Sequence, residues 1–131
     1  PHKHNSYFEI IFLSQGSGFH FIDSQKHEVK PPVVFFVRKE QMHYWELDNK
    51  PDGYVIIIKK SFIDLSFDKE IKALLYQLSK IEALYLKDVD IISHLFLLLT
   101  KENLQENPFS KIAVEGLLKA LLAKLLQMPS A

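Results

Sequence analysis

The sequence predicts a mainly-β chain with a helical second half: a barrel or sandwich of six or seven short strands, followed by three helices. Between residues 7 and 58, short apolar runs recur at spacings of roughly ten residues, each ended by a polar or Gly/Pro cluster. From about Asp68 the apolar period changes from two to about 3.6. Length bounds the answer, because 131 residues with 47% hydrophobic content suffice for one domain with a core and are too few for two ordinary ones.

Residues 7–13 read as the first strand, and Gln15-Gly16-Ser17-Gly18 supplies the glycines of a tight turn before 19–22 returns. A β-hairpin is expected there. Ser24-Gln25-Lys26 reads as the next turn, 27–29 as a short strand, and Pro31-Pro32 as a break before 33–37. Lys39-Glu40-Gln41 turns the chain into 43–47, and Asn49-Lys50-Pro51-Asp52-Gly53 turns it into 54–58. The change of period lies near residues 62–67, giving a strand-built part over 1–62 and a helical part over 63–131 within one domain.

In the helical part, Ile71, Leu74, Leu75 and Leu78 mark the first helix, while residues 83–86 are β-compatible and return to the sheet. Asp88 or Asp90 caps the second helix, which carries Ile92, Leu95, Phe96 and Leu99 on one stripe. Asn107-Pro108 opens the third, which runs to about Gln127 before Pro129. That helix is apolar on two sides. Val114, Leu117, Leu118, Leu121 and Leu125 form a bulky stripe; Ala113, Gly116, Ala120 and Ala123 form a small one; Lys111, Glu115 and Lys119 make the solvent line. A helix lying on a barrel needs one apolar face, so the second predicts a second partner. Gly116, Leu117, Ala120, Leu121, Ala123 and Lys124 are the expected homodimer contacts.

Composition excludes several classes. The 16 basic and 16 acidic residues balance, so the chain lacks the basic footprint of a nucleic-acid binder. It has no cysteine, which removes disulfides and suits a reducing compartment. The longest apolar run, 91–99, is about half the ~20 residues of a membrane helix. No nucleophile motif, phosphate loop or paired-acid arrangement is present, so neither enzyme activity nor a resident cofactor is expected.

The chemistry concentrates in the first strand. His2 and His4 are two apart and share one face of an extended chain, and Glu9 follows at the start of the apolar run. Two imidazoles and a carboxylate suit either a metal site or a polar patch at the bottom of a small-molecule pocket. If His43 faces the interior, so do Trp45 and Leu47, while Tyr44 and Glu46 face out. Trp45 is the sole tryptophan, and its face beside polar groups suits a sugar or another compact amphipathic metabolite. Arg38 offers a bidentate anchor for a carboxylate or phosphate. His20 and Tyr54 are further candidates, and His27 and His94 read as structural or surface residues.

The spacing His2-x-His4, four residues, Glu9, six residues, Gly16 resembles the first motif of the cupin superfamily. With Phe8-Glu9-Ile10-Ile11, Gly16-Ser17-Gly18, Phe35-Phe36-Val37 and Gln41-Met42-His43-Tyr44-Trp45, the chain is similar to the N-terminal effector-binding domain of AraC-type transcription regulators. The resemblance covers residues 1–62 by motif and 66–127 by helical pattern. It implies a cupin-like jelly-roll β-barrel that holds a small-molecule effector, followed by three helices forming an antiparallel dimerisation region. In metal-binding cupins the matching residues hold one divalent metal, which here would be His2, His4, Glu9 and His43. Where the second cupin motif has glycine, proline, glycine and asparagine, this chain has Pro32, Arg38, Glu40 and Leu47. AraC-type domains keep the barrel without metal chemistry, so His4, Glu9 and His43 are expected as a hydrogen-bonded cluster on the pocket floor. The resemblance further implies a cytoplasmic homodimer that reaches DNA only through a C-terminal domain. The chain begins at Pro1 and reads as a fragment, expected to continue past Ala131 into two helix-turn-helix units. The alternatives are a metal-dependent small cupin enzyme of dioxygenase or isomerase type, and a free-standing metabolite-binding cupin.

Overall fold

A computed structural model describes residues 6–66 and 68–129. Its elements follow in the order β1 (Ser6–Gln15), β2 (Gly18–Ile22), β3 (Gln25–Glu28), β4 (Val33–Arg38), β5 (His43–Leu47), β6 (Asp52–Lys59), α1 (Lys60–Leu65), α2 (Lys69–Leu78), β7 (Ala83–Tyr85), α3 (Asp90–Asn103) and α4 (Ser110–Gln127).

The centre of the architecture is β1, which is buried without a break from Phe8 to Leu13 and apolar there at every position but Glu9, because both of its faces are covered. Phe8, Ile10 and Phe12 point into a core shared with the helices, while Ile11 and Leu13 point into a second core between the sheets. β1 pairs antiparallel with β4 on one side and β6 on the other, so that Ile10 lies between Phe36 and Ile56. With β7 on the far side of β4, the larger sheet runs β6-β1-β4-β7; the smaller runs β3-β2-β5.

The chain is mainly β with helices, as the change of period predicts. Three local expectations are corrected. No hairpin joins β1 to β2: residues 16–17 carry the chain from one sheet to the other, and β2 pairs with β3 and β5 instead. The two glycines of that stretch serve a crossing, with Gly18 at φ +124° lying against the backbone of Glu46 and Leu47. Among the described residues the sheets remain two layers and do not close into a barrel. The β2–β3 turn is Asp23-Ser24, with Asp23 at φ +51° and Gln25 already paired to Ile22.

The helices number four among the described residues rather than three, because the short α1 follows β6 directly. Asp68 caps α2, its carboxylate accepting from the Glu70 N–H at 3.1 Å. Val89 occupies the N-cap of α3, and the Asp88 carboxylate accepts from the Asp90 N–H. Asn107 caps a turn that precedes α4, accepting from the Phe109 N–H at 2.9 Å, and the helix itself begins at Ser110. Leu118, Leu121, Leu122 and Leu125 of α4 enter the same core as Phe12, Phe36 and Phe96. Among the described residues no helix is long and apolar enough to cross a membrane.

Candidate functional site

The polar groups of interest lie between the two sheets, and strand parity puts them there. Glu9 shares the inner face of β1 with Ile11 and Leu13, opposite in parity to the helix-facing Phe8 and Ile10. On the smaller sheet, His20 pairs with Trp45 and Ile22 with His43, so His20, His43 and Trp45 also face inward. Tyr44 lies on the outer face, stacked on Phe21 at 4.5 Å. The inward parity of residues 43, 45 and 47 follows the sequence reading.

These side chains form a continuous chain of contacts. His43 Nε2 lies 3.7 Å from Glu9 Oε2, and the Ser6 hydroxyl donates to the same oxygen at 3.4 Å. On its other side, His43 Nδ1 is 2.9 Å from His20 Nε2, so one proton is shared between the rings. The His20 ring stacks on Trp45 at 3.6 Å and within 3° of parallel, while Phe35 of β4 meets it edge-on at 4.7 Å. Glu9 and His43 are each 3% exposed and His20 is fully enclosed. Burial of this kind is costly for polar groups unless they are hydrogen-bonded.

Burial acts on His20 most visibly. It pushes the pKa from 6.5 down to about 3, helped by the imidazoles of His43 and His27. The ring is therefore neutral at physiological pH. Its Nδ1 is buried and, among the described residues, has no hydrogen-bond partner.

Other expected site residues lie elsewhere. Arg38 is exposed at the end of β4, opposite Phe8 on the helix-facing side of the larger sheet, and borders a separate cleft of about 440 Å³ with Tyr7, Lys39 and Tyr76. Tyr54 is also on that side, stacked on Phe96 of α3 at 5.9 Å. The structure thus brings together Glu9, His20, His43 and Trp45 but not Arg38 or Tyr54. His2 and His4 lie outside the described residues, so the four-residue metal set cannot be assembled from those described. Among them no group of three or more metal-ligating side chains gathers.

Two neighbours escaped the sequence reading. Phe35 helps to carry the family resemblance but has no site role in it, and His27, which reads as structural or surface, bonds Glu82 across the sandwich at 2.7 Å. Counting outward from a two-residue turn at Asp23-Ser24, which pairs Ile22 with Gln25, puts His27 opposite His20.

The expected dimer contacts divide between two sides of α4. Leu121 is buried in the core of the single chain and Leu117 packs against that core. Gly116 and Ala120 are exposed, and Ala123 and Lys124 are intermediate. The expected solvent line is instead engaged with the α1–α2 joint: Lys111 Nζ donates to the Leu65 carbonyl, Glu115 accepts from the Ser66 hydroxyl, and Lys119 pairs with Asp68 and Glu70. What faces outward is the small stripe, joined by the exposed side chains of Phe109 and Ile112.

No curated protein matches the chain closely enough to count as a relative. One family does match: the model described as AraC-like ligand binding domain covers residues 1–122.

Proposed function

Because the chain belongs to the family of AraC-like ligand binding domains, we propose that it is the ligand-sensing and dimerisation part of a DNA-binding transcription regulator. The family is a regulatory, ligand-binding one, and catalysis forms no part of this reading. The two-sheet arrangement is read as a cupin-type jelly roll, the protein as cytoplasmic, and the effector as a small uncharged molecule of the sugar type. DNA contact falls to a separate C-terminal domain.

The observation that carries the reading is the buried Glu9–His43–His20 chain beside Trp45. Such a group of polar side chains is expensive to keep inside a small core, and its aromatic wall and fixed hydrogen-bonding geometry suit a compact ligand. Outward-facing Gly116 and Ala120 on α4 support pairing of two copies through that helix, since small side chains let helix axes approach. Effector and dimer would then be linked thermodynamically: a ligand that favours one arrangement of sheet and helices shifts the relation between the attached DNA-binding units.

The test is a thermal-shift screen of neutral metabolites, followed by a reporter assay in the intact regulator. A ligand at a hundred times its Kd stabilises the fold by about 2.7 kcal/mol, readily seen as a rise in Tm. Trp45→Ala should remove both the shift and the reporter response while leaving the dimer intact. Loss of the dimer in that variant would mean that the ligand site is misplaced.

A further inference from the structure

The cleft of about 440 Å³ that Arg38 borders lies on the helix side of the larger sheet, between the start of β1, the turn from β4 to β5 and the last turn of α2. It is separate from the Glu9–His43–His20 chain, because Phe8 and its partner Arg38 are on the helix side while Glu9 meets His43 on the other. Its size is within the range of about 300–1,000 Å³ usual for small-molecule sites.

Two local irregularities shape the cleft. The register of β1 against β6 shifts between Ser6 and Phe8, so Tyr7 is an extra residue on β1 and packs against the helix-side core alongside Phe8. In the β4–β5 turn Glu40 takes φ +70°, a conformation that residues with side chains rarely adopt. Gln41 holds that turn from behind: its Oε1 accepts from the Arg38 N–H at 2.8 Å, and its Nε2 donates to the carboxylates of Asp23 and Glu82. The Lys39 N–H donates to the Tyr7 carbonyl at 3.1 Å and ties turn to strand. Arg38 and Lys39 therefore extend from a fixed backbone.

Charge around the cleft is one-sided. Arg38, Lys39 and Lys80 are exposed, and among the described residues none of them forms an ion pair. Two of them lie over aromatic faces instead, Lys39 Nζ at 5.6 Å from the Tyr7 ring centre and Lys80 Nζ at 5.0 Å from that of Tyr76. The end of α2 makes no demand on these cations. Its last four carbonyls, from Leu75 to Leu78, accept in turn from the Ser79 N–H, the Ser79 hydroxyl, the Lys80 N–H and the Ile81 N–H. Against the cations, the lining among the described residues carries one carboxylate, that of Glu40. The remainder is largely apolar, with buried Leu75 at the base and Tyr76 on the wall, 63% exposed.

We infer that this cleft is a second ligand site, for a small organic acid with a carboxylate head on a flat apolar body. The Arg38 guanidinium takes the carboxylate in its forked donor geometry, Lys39 and Lys80 add positive charge around it, and Tyr7, Leu75 and Tyr76 receive the body. The site goes beyond the sensing reading, since the acid binds here whether or not a neutral effector occupies the sandwich.

Arg38 is the sole arginine of the chain, so its side-chain Nε–H gives one unambiguous NMR signal in the isotope-labelled protein. The probes are naphthoate, its uncharged isostere naphthamide, and acetate, which has the head without the body. Naphthoate should shift the Arg38 signal and bind about tenfold tighter than naphthamide, the worth of one charge-assisted hydrogen bond. Acetate should give no saturable shift. Arg38→Gln, at an exposed position, should bring naphthoate down to the level of naphthamide and leave naphthamide unchanged. Tyr76→Ala should weaken both naphthyl probes alike, by about fivefold. Equal affinity for naphthoate and naphthamide overturns the inference, as does an acetate shift as saturable as that of naphthoate. So does an unchanged naphthoate affinity in either variant, or a set of shifts centred on Trp45 rather than Arg38.

Discussion

His20 lies flat on Trp45, 3.6 Å away and within 3° of parallel, while its ring edge is held by His43 at 2.9 Å. A neutral imidazole suits this place and an imidazolium does not, because charging the ring would bury a cation beside two further histidines. The folded-state pKa of about 3 stands against 6.5 for the free side chain. Above pH 6.5 the ring is neutral folded or unfolded, and the contribution is fully present. As pH falls below 6.5 the unfolded chain takes up a proton that the folded one refuses, so stability declines by up to about 1.4 kcal/mol per pH unit until roughly pH 3. Urea unfolding of the native chain and of His20→Gln at pH 7, 5.5 and 4.5 isolates this group from the carboxylates. The stability gap between the two should narrow steadily on acidification, and parallel curves would reject the buried neutral histidine.

The contact between these rings was partly legible in the sequence. Alternation told that His43, Trp45 and Leu47 share a face, and Glu9 stood out as a carboxylate in an apolar run. The missing information was register: which strand lies beside which is a long-range property that no local pattern encodes. Arg38 is a candidate for its bidentate guanidinium and Tyr54 for a parity that the sequence leaves unfixed, and pairing with Phe8 and Phe12 puts both on the helix side. The glycines at 16 and 18 predict a hairpin, because local turn chemistry is the same for a return and for a crossing between layers.

That crossing makes a second prediction. Gly18 has φ +124°, and a Cβ there would lie 2.8 Å from the Leu47 Cα and closer still to the Glu46 carbonyl oxygen. Both obstacles are backbone and cannot rotate away. Gly18→Ala should therefore destabilise the fold by more than about 3 kcal/mol and displace β5, carrying Trp45 with it. Denaturant midpoint and Trp45 fluorescence report the two effects; an unchanged midpoint would mean that the crossing is looser than described.

The placement of α4 changes how a dimer is to be probed. Leu121 is fully buried in the single chain, so Leu121→Glu puts a carboxylate into the core and should cost more than about 4 kcal/mol. Any loss of association in that variant would be a by-product of unfolding. Ala120, one residue earlier, is exposed. Ala120→Glu should leave the unfolding free energy within about 0.5 kcal/mol of native in dilute monomer and yield monomers by light scattering. A dimer that survives Ala120→Glu unchanged would reject α4 as the contact.

Gly116 offers the sharpest distinction, because one substitution should move two quantities in opposite directions. It lies within an 18-residue helix, and a Cβ built on it meets nothing within 4 Å in the single chain. On intrinsic helix propensity alone, Gly116→Ala should stabilise the monomer by about 1 kcal/mol. If two copies pack α4 against α4 along the small stripe, the added methyl stands where a partner backbone approaches, and association should weaken about tenfold or more. Sedimentation equilibrium gives the dimer constant, and urea unfolding at concentrations below it gives the monomer stability. A stabilised monomer with weakened association fits a close helix contact at Gly116. A stabilised monomer that associates as before would leave the small stripe as solvent-facing surface and move the search for a partner face to the exposed Ile91 and Leu98 of α3.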